Sequence, residues 1–405
     1  MRWYPVTALS LLAITDMIAS QALSVLAPDI TRALGVSAGA FASLLAVQLV
    51  AACLAPILMA TLAGDRAIRA VIAISTGFVW SVCVAAVGLV DSIWMLGVLI
   101  LLNGLANGSV AALHTPLLTD LYPRDVRGRV LSLYGAAGPA ASVLGPLAVA
   151  GLTGWLGLNW RVVFFVLGAV SLAGCVAAIR LRDPGVGARE QDNPGSLSGS
   201  FLALFRIPTI RRMLAGFAVF GMMLLPGATF MAIHLEQRWG LQAGARGLFM
   251  AAYAVGAIVI LLTLGRKLDS LFQNDPRKVV VVCAIVVATS ATGIALGAAA
   301  PFLALCLAAF FVAMTATSLI VPVVALVGLS VAAPRQRGHF AAVFTVTLAG
   351  GGLTGAGLLT VVEGAFGTAG AVASVAVPGV LAACVIITAV RTVRTDLEPG
   401  VHAHG

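Results

Sequence analysis

The chain has 405 residues, of which 60% are hydrophobic and only 10% charged, and its mean hydropathy is +1.07. Soluble domains carry about 25% charged residues, so a water-soluble chain of two or three domains is excluded and the repeating unit is a membrane span. The net charge of +9 raises nucleic acid as a partner. The basic residues lie in short segments between apolar runs and form no stripe, so that class is excluded and the lipid bilayer is the partner.

Cutting the apolar runs at polar and Gly/Pro breaks predicts twelve spans: 6–27, 38–61, 70–90, 93–116, 130–152, 161–180, 211–233, 246–264, 279–299, 301–325, 339–361 and 370–390. Placing both termini in the cytoplasm puts 20 of the 24 Lys and Arg residues on that side, which is the bias that fixes orientation. The expectation is a multi-pass protein of the plasma (inner) membrane. Residues 1–24 could alternatively form a cleaved signal peptide, with Arg2 in front and "ALS" at its end. Removing them leaves eleven spans, and an aspartate disfavours such a segment. The six cysteines, at 53, 83, 175, 283, 306 and 384, all sit in apolar runs without CxxC or Cys/His spacing. They read as small buried hydrophobes, with no disulfide framework and no metal site.

The first span carries the sharpest anomaly. Of 15 acidic residues, ten fall in cytoplasmic segments and four near the outer surface, leaving Asp16 alone at mid-membrane. A carboxylate at the bilayer centre costs roughly 2.5–3.5 kcal/mol, so a water-filled cavity is its natural place. There it becomes a proton-coupling candidate; the competing reading is a structural carboxylate between packed helices. Ser20, one turn on, is a candidate for the same cavity. In span 4, Asn103, Asn107 and His114 fall within about 40° of one helix face at 100° per residue. Such a polar stripe faces protein or water. The asparagines read equally as substrate ligands or as glue between helices. His114 reads as a second proton-coupling candidate or as an interfacial residue near the cytoplasmic end.

The segment 181–210 is rich in Pro, Gly, Ser and charge and reads as a cytoplasmic linker. It divides the chain into a six-helix bundle at 1–180, a second at 211–391 and a cytoplasmic tail at 392–405. A weak repeat supports the division: Arg127-Gly128 precedes Gly145 by the same interval as Arg337-Gly338 precedes Gly355, and both pairs open the fifth span of their half. The second half shows no charge inside its spans. Its cavity candidates are Met223, Tyr253, Thr315 and Ser318, all of which also suit ordinary packing. A cavity of that kind with one carboxylate suits a lipophilic or cationic small molecule. Gly138 and Gly145 in span 5 and Gly352 and Gly355 in span 11 permit close helix approach and are expected where the two bundles meet.

Several stretches resemble the major facilitator superfamily, and the resemblance covers essentially the whole chain. "TLAGDRAIRA" (61–70) is similar to its span 2–3 loop signature, matching at Asp65, Arg66 and Arg69 with Thr61 and Ile68 in place of glycines. Gly265 and Asp269 match the same pattern in the second half. "LAPDI" (26–30), "NWRVVFF" (159–165) and "YPRDVRGRVLSLYGAAG" (122–138) look like the drug-exporter branch. That branch ends its Gly-Pro motif with paired glycines, where Val149 and Ala150 stand here. It also places an arginine four residues before the glycine that matches Gly104, where this chain has Ile100.

The resemblance implies an all-α membrane protein of twelve transmembrane helices, in two six-helix bundles related by pseudo-two-fold symmetry, with spans 1 and 4 lining a central cavity. It implies a monomeric secondary transporter without a cofactor, coupled to the proton gradient and exporting a small molecule. Uniport and uptake are its variants. Asp65 with Arg66 and Arg69 then forms a gating latch by ion pairing and helix capping; the plainer reading is a positive-inside anchor. A membrane enzyme is disfavoured because no HExxH, GxSxG or dense His/Asp cluster occurs. A channel would show charge rings and fewer spans.

Overall fold

The structure is a computed structural model and describes residues 3–63, 68–185, 204–332 and 337–397. Among them every regular element is helical. In chain order they are α1 (Tyr4–Val25), α2 (Ala27–Leu34), α3 (Ala38–Ala63), α4 (Arg69–Val87), α5 (Ile93–Ser109), α6 (Thr115–Leu121), α7 (Arg124–Gly135), α8 (Ala137–Val149) and α9 (Trp160–Ala178). They continue as α10 (Pro208–Trp239), α11 (Ala243–Asn274), α12 (Pro276–Ala299), α13 (Leu303–Thr317), α14 (Ile320–Val331), α15 (Arg337–Ser374), α16 (Ala376–Ile387) and α17 (Val393–Leu397). Single π-helical turns lie at Val110–His114 and Ala150–Trp155.

Helices must close all their backbone hydrogen bonds internally to cross lipid, and long apolar windows occur in nine described helical stretches. One of these, Val343–Arg391, is kinked at Gly367, where φ is +71°. With the shorter apolar helices Ile93–Asn107 and Leu303–Thr317, each of the twelve predicted spans has a helix. Side-chain caps set several boundaries. Ser92 Oγ accepts from Met95 N at 3.2 Å to start α5, and Asn159 Oδ1 accepts from Val162 N at 3.0 Å to start α9. Asp275 Oδ1 caps α12 at 3.1 Å, with Pro276 opening the helix. Two expectations change. Only a kink separates the helices of spans 11 and 12, where Gly367 takes a backbone conformation that glycine alone adopts freely. Span 8 continues as helix to Asn274, which places Gly265 and Asp269 on α11 rather than in a loop.

Packing divides the chain into two units. The first comprises Met1–Ser37, Val47–Gly195 and Gly240–Ala251, and the second Ala38–Ala46, Ser196–Trp239 and Ala252–Gly405. The main border thus falls within 181–210, while the first turns of α3 belong to the second unit and those of α11 to the first. The segment expected as a cytoplasmic tail begins with α17, whose Val393 and Asp396 are buried. In the first unit α1 packs on α8 and α9, and α4 on α9. Its core holds Leu9, Leu12, Trp80, Leu117 and Cys175, and Trp80 Nε1 donates to Ser171 Oγ at 2.9 Å. In the second unit α10 packs on α15 and α16, with the Phe217 ring edge-on to Phe344 at 5.2 Å.

The glycines expected between the bundles do another job. A Cβ on Gly145 would stand 2.7 Å from Gln21 Cβ, so Gly145 lets α8 lie on α1, whereas a Cβ on Gly138 would meet only Met17 Sδ at 3.9 Å, an ordinary contact. Gly355 meets the Met222 backbone, and Gly352 N lies against Gly221, so these two seat α15 on α10. Small residues bring backbones together, and here Gly145, Gly352 and Gly355 do so inside a unit.

Candidate functional site

The site lies in the first unit, where α1, α5 and α7 converge. Asp16 is 2% exposed. Its Oδ2 accepts a hydrogen bond from Asn107 Nδ2, and its Oδ1 has no partner among the described residues. A carboxylate with one oxygen bonded and one unpaired can take a proton without first breaking the bond that positions it. One turn before Asn107 on α5, Asn103 Oδ1 accepts from Gln48 Nε2 at 2.7 Å. Ser20, Gln48, Ile100 and Asn103 line a crevice of about 10 Å³, the size that holds a single water. The two asparagines, Asp16 and Ser20 are therefore brought together.

His114 reaches this convergence through α7 rather than through the asparagine stripe. The turn Val110–His114 is π-helical, so it holds one residue more than an α turn, and the 100° step that aligned His114 with the asparagines does not carry across it. Its Nδ1 pairs with Tyr134 Oη of α7 at 3.0 Å, while Nε2 is buried without a partner among the described residues. The side chain is fully buried. Gln48 and Tyr134 were missed from sequence. A lone Gln in an apolar span is a legible signal; a Tyr in a span is not, because aromatic rings fill lipid-facing and core positions alike.

In the second unit, Met223 is buried against Gly379 and reads as packing. Thr315 Oγ1 is buried without a partner among the described residues. Ser318 Oγ donates to the carbonyl of Thr315 at 2.7 Å, which ties it to the end of its own helix. Tyr253 is half-buried on α11. Sequence reading overlooked His234, which the longer α10 carries fully into the interior with its ring edge-on to Phe310 at 6.0 Å.

Of the gating-loop residues, Asp65 and Arg66 lie outside the described residues. Arg69 opens α4 and is 4% exposed. Its Nη1 donates to Asp120 at 2.6 Å, its Nη2 and Nε donate to Asp183 at 2.7 and 3.1 Å, and its backbone N also donates to Asp183 at 2.8 Å. Burial alone would raise the Asp183 carboxyl, but the bonds from Arg69 and from Gly185 N outweigh it and hold the group below its usual range. Arg69 therefore joins the end of span 4 to the segment after span 6. At the opposite membrane face Arg246 is 1% exposed. It donates to the carbonyls of Val25 at 3.2 Å and Leu241 at 2.6 Å, and to Asp29.

The sequence profile of the Major Facilitator Superfamily matches residues 9–356. The chain belongs to that superfamily. No curated protein matches the sequence. Solved structures share the fold of this major facilitator protein at low identity. A bacterial homolog of the human lysosomal transporter Spinster, inward-facing and unoccupied, aligns at TM-score 0.83 and 20% identity over 97% of this chain and 98% of that one. A peptide transporter, POT, aligns at TM-score 0.78 and 12% identity over 97% and 95%. The nucleoside transporter NupG aligns at TM-score 0.76 and 12% identity over 95% and 98%. These likenesses support a multi-pass transporter fold, and the drug-exporter branch expected from short motifs has no counterpart among these three.

Proposed function

We propose that this transporter works by alternating access as a proton-coupled exporter of a small lipophilic or cationic compound. In this reading it acts as a monomer in the plasma membrane with both termini in the cytoplasm. The observation that carries the reading is Asp16: a buried carboxylate at mid-span, held at one oxygen by Asn107 and open at the other. A membrane-embedded acid is costly, and an open oxygen is what proton binding and release require. Asn103, Gln48 and Ser20 supply neutral polar contacts next to it. The Arg69–Asp120–Asp183 cluster serves as the gate on its membrane face, next to the Asp65 pairing expected from the loop motif.

A second reading, uniport or uptake, draws on Ile100. It is 2% exposed and lines the crevice where an arginine-assisted relay would place its cation. One experiment separates the two. Lipophilic cations are loaded into reconstituted vesicles and transport is followed with and without an imposed pH gradient, for wild type and Asp16→Asn. Gradient-driven flux that disappears in the variant supports proton export. Flux that ignores the gradient in wild type selects uniport, and an unaffected variant makes Asp16 structural.

A further inference from the structure

The first unit holds a cavity of about 550 Å³ that none of the foregoing uses. It lies where the π turn Ala150–Trp155 ends span 5 and the first turns of α11 begin, at the membrane face opposite Arg69. Two close contacts fix its walls. Gly154 and Gly244 meet backbone to backbone, a Cβ on Gly244 standing 2.9 Å from Gly154 Cα. A Cβ on Gly247 would stand 2.5 Å from the carbonyl of Pro146. Arg246, bonded to Val25, Leu241 and Asp29, pins the same turns from the other side. The helices touch at glycine, so they cannot close further, and the space beside the crossing is left unfilled by the chain's own side chains.

The lining is chiefly apolar and open to the outside of the unit. Leu147, Ala245 and Leu248 are lining residues that remain exposed, and they belong to spans whose windows are long and apolar. Trp155 stands at the rim, 89% exposed, with its indole lying back over Gly151; Gln242 is the polar side chain beside it. A tryptophan at a span end marks the membrane–water interface. The cavity therefore opens toward acyl chains just below the headgroups. An unfilled space of this size forfeits the contacts of its walls, and its volume falls in the range of small-molecule sites. Water is a poor occupant, because it needs two to four polar partners and the walls away from the rim are aliphatic.

We propose that this cavity is a lipid site that takes one acyl chain of a bilayer phospholipid, with the headgroup at Trp155 and Gln242. The site is separate from Asp16 and does not depend on what the protein transports.

The test uses the full chain in phosphatidylcholine vesicles doped with phosphatidylcholine that carries a diazirine at the end of one acyl chain. After irradiation, adducts are mapped by peptide mass spectrometry. The expected result is severalfold enrichment of adducts on 147–155 and 240–248 over the exposed face of α4 at Val71 and Val82, which are 62% and 60% exposed. Ala245→Phe fills the cavity and brings labelling there down to the α4 level with the unfolding temperature unchanged; Leu147→Phe is a second filling variant should the first not fold. Labelling spread evenly over all lipid-facing helices overturns the proposal, as does enrichment that survives both fillings.

Discussion

Replacing Asp183 by Asn tests whether Arg69 organises the first unit. The carboxylate side chain is 1% exposed and that of Arg69 5%, so the pair is buried. Removing one partner of a buried pair costs about 3–5 kcal/mol. Asparagine keeps the shape and one acceptor, and Asp120 still faces the guanidinium at 2.6 Å, which places the loss near 3 kcal/mol. For a unit of this size 1 kcal/mol corresponds to about 2–4 °C, giving a fall of roughly 6–12 °C. Tryptophan fluorescence on heating in detergent reports it well, because five of the six tryptophans (3, 80, 94, 155 and 160) lie in the first unit. The pH dependence supplies a second check. The folded carboxyl is held below its ordinary value of 3.8, so its stabilisation is fully present above that value and fades as pH falls through the folded pKa. The gap between wild type and variant should be constant from neutral pH down to about 5 and shrink in stronger acid. A fall below about 2 °C at neutral pH, or a gap that widens in acid, refutes the reasoning.

Three further outcomes follow from the packing. Gly168→Leu should lower stability by several kcal/mol or abolish folding, since even a Cβ would stand 2.6 Å from Ala85 Cβ; recovery of folded protein by size-exclusion chromatography reads this directly. Asp396→Ala should cost about 1 kcal/mol, because Asp396 accepts from Thr209 N at 2.9 Å at the start of α10, and hydrogen exchange should rise at 208–211. Tyr134→Phe and His114→Phe should each destabilise by about 1–3 kcal/mol. Their double variant should fall short of the sum by at least about 0.5 kcal/mol, and additive losses would show that the 3.0 Å contact carries no coupling.

Hydropathy made the spans legible, because lipid enforces one rule on every crossing helix. The same rule made Asp16 conspicuous, and its neighbour Asn107 followed from a four-residue interval on an ordinary helix. The contact of His114 with Tyr134 was illegible because a π turn leaves no trace in a hydropathy window. The burial of Arg246 was not legible, because it depends on carbonyls at Val25 and Leu241 that meet it only in the folded chain. The glycines announced close approach without naming a partner: a missing side chain says that something comes near, and the tertiary fold decides what. Asp120 and Asp183 read as loop acids for the same reason, being defined by Arg69 rather than by their own surroundings.

The exchange of helix starts changes what a half of this protein is. Cutting the gene at the linker yields two polypeptides, yet neither is a complete packing unit. The amino-terminal fragment lacks 240–251 and so leaves Asp29 without Arg246, and the other lacks 38–46 and so leaves Glu363 without the amide of Gly39 that reaches it at 3.1 Å. Each fragment thus carries an unfilled socket shaped for a piece of its sibling. Co-expressed halves should find one another by returning those pieces, and either half made alone should be the substrate of the cell's quality control.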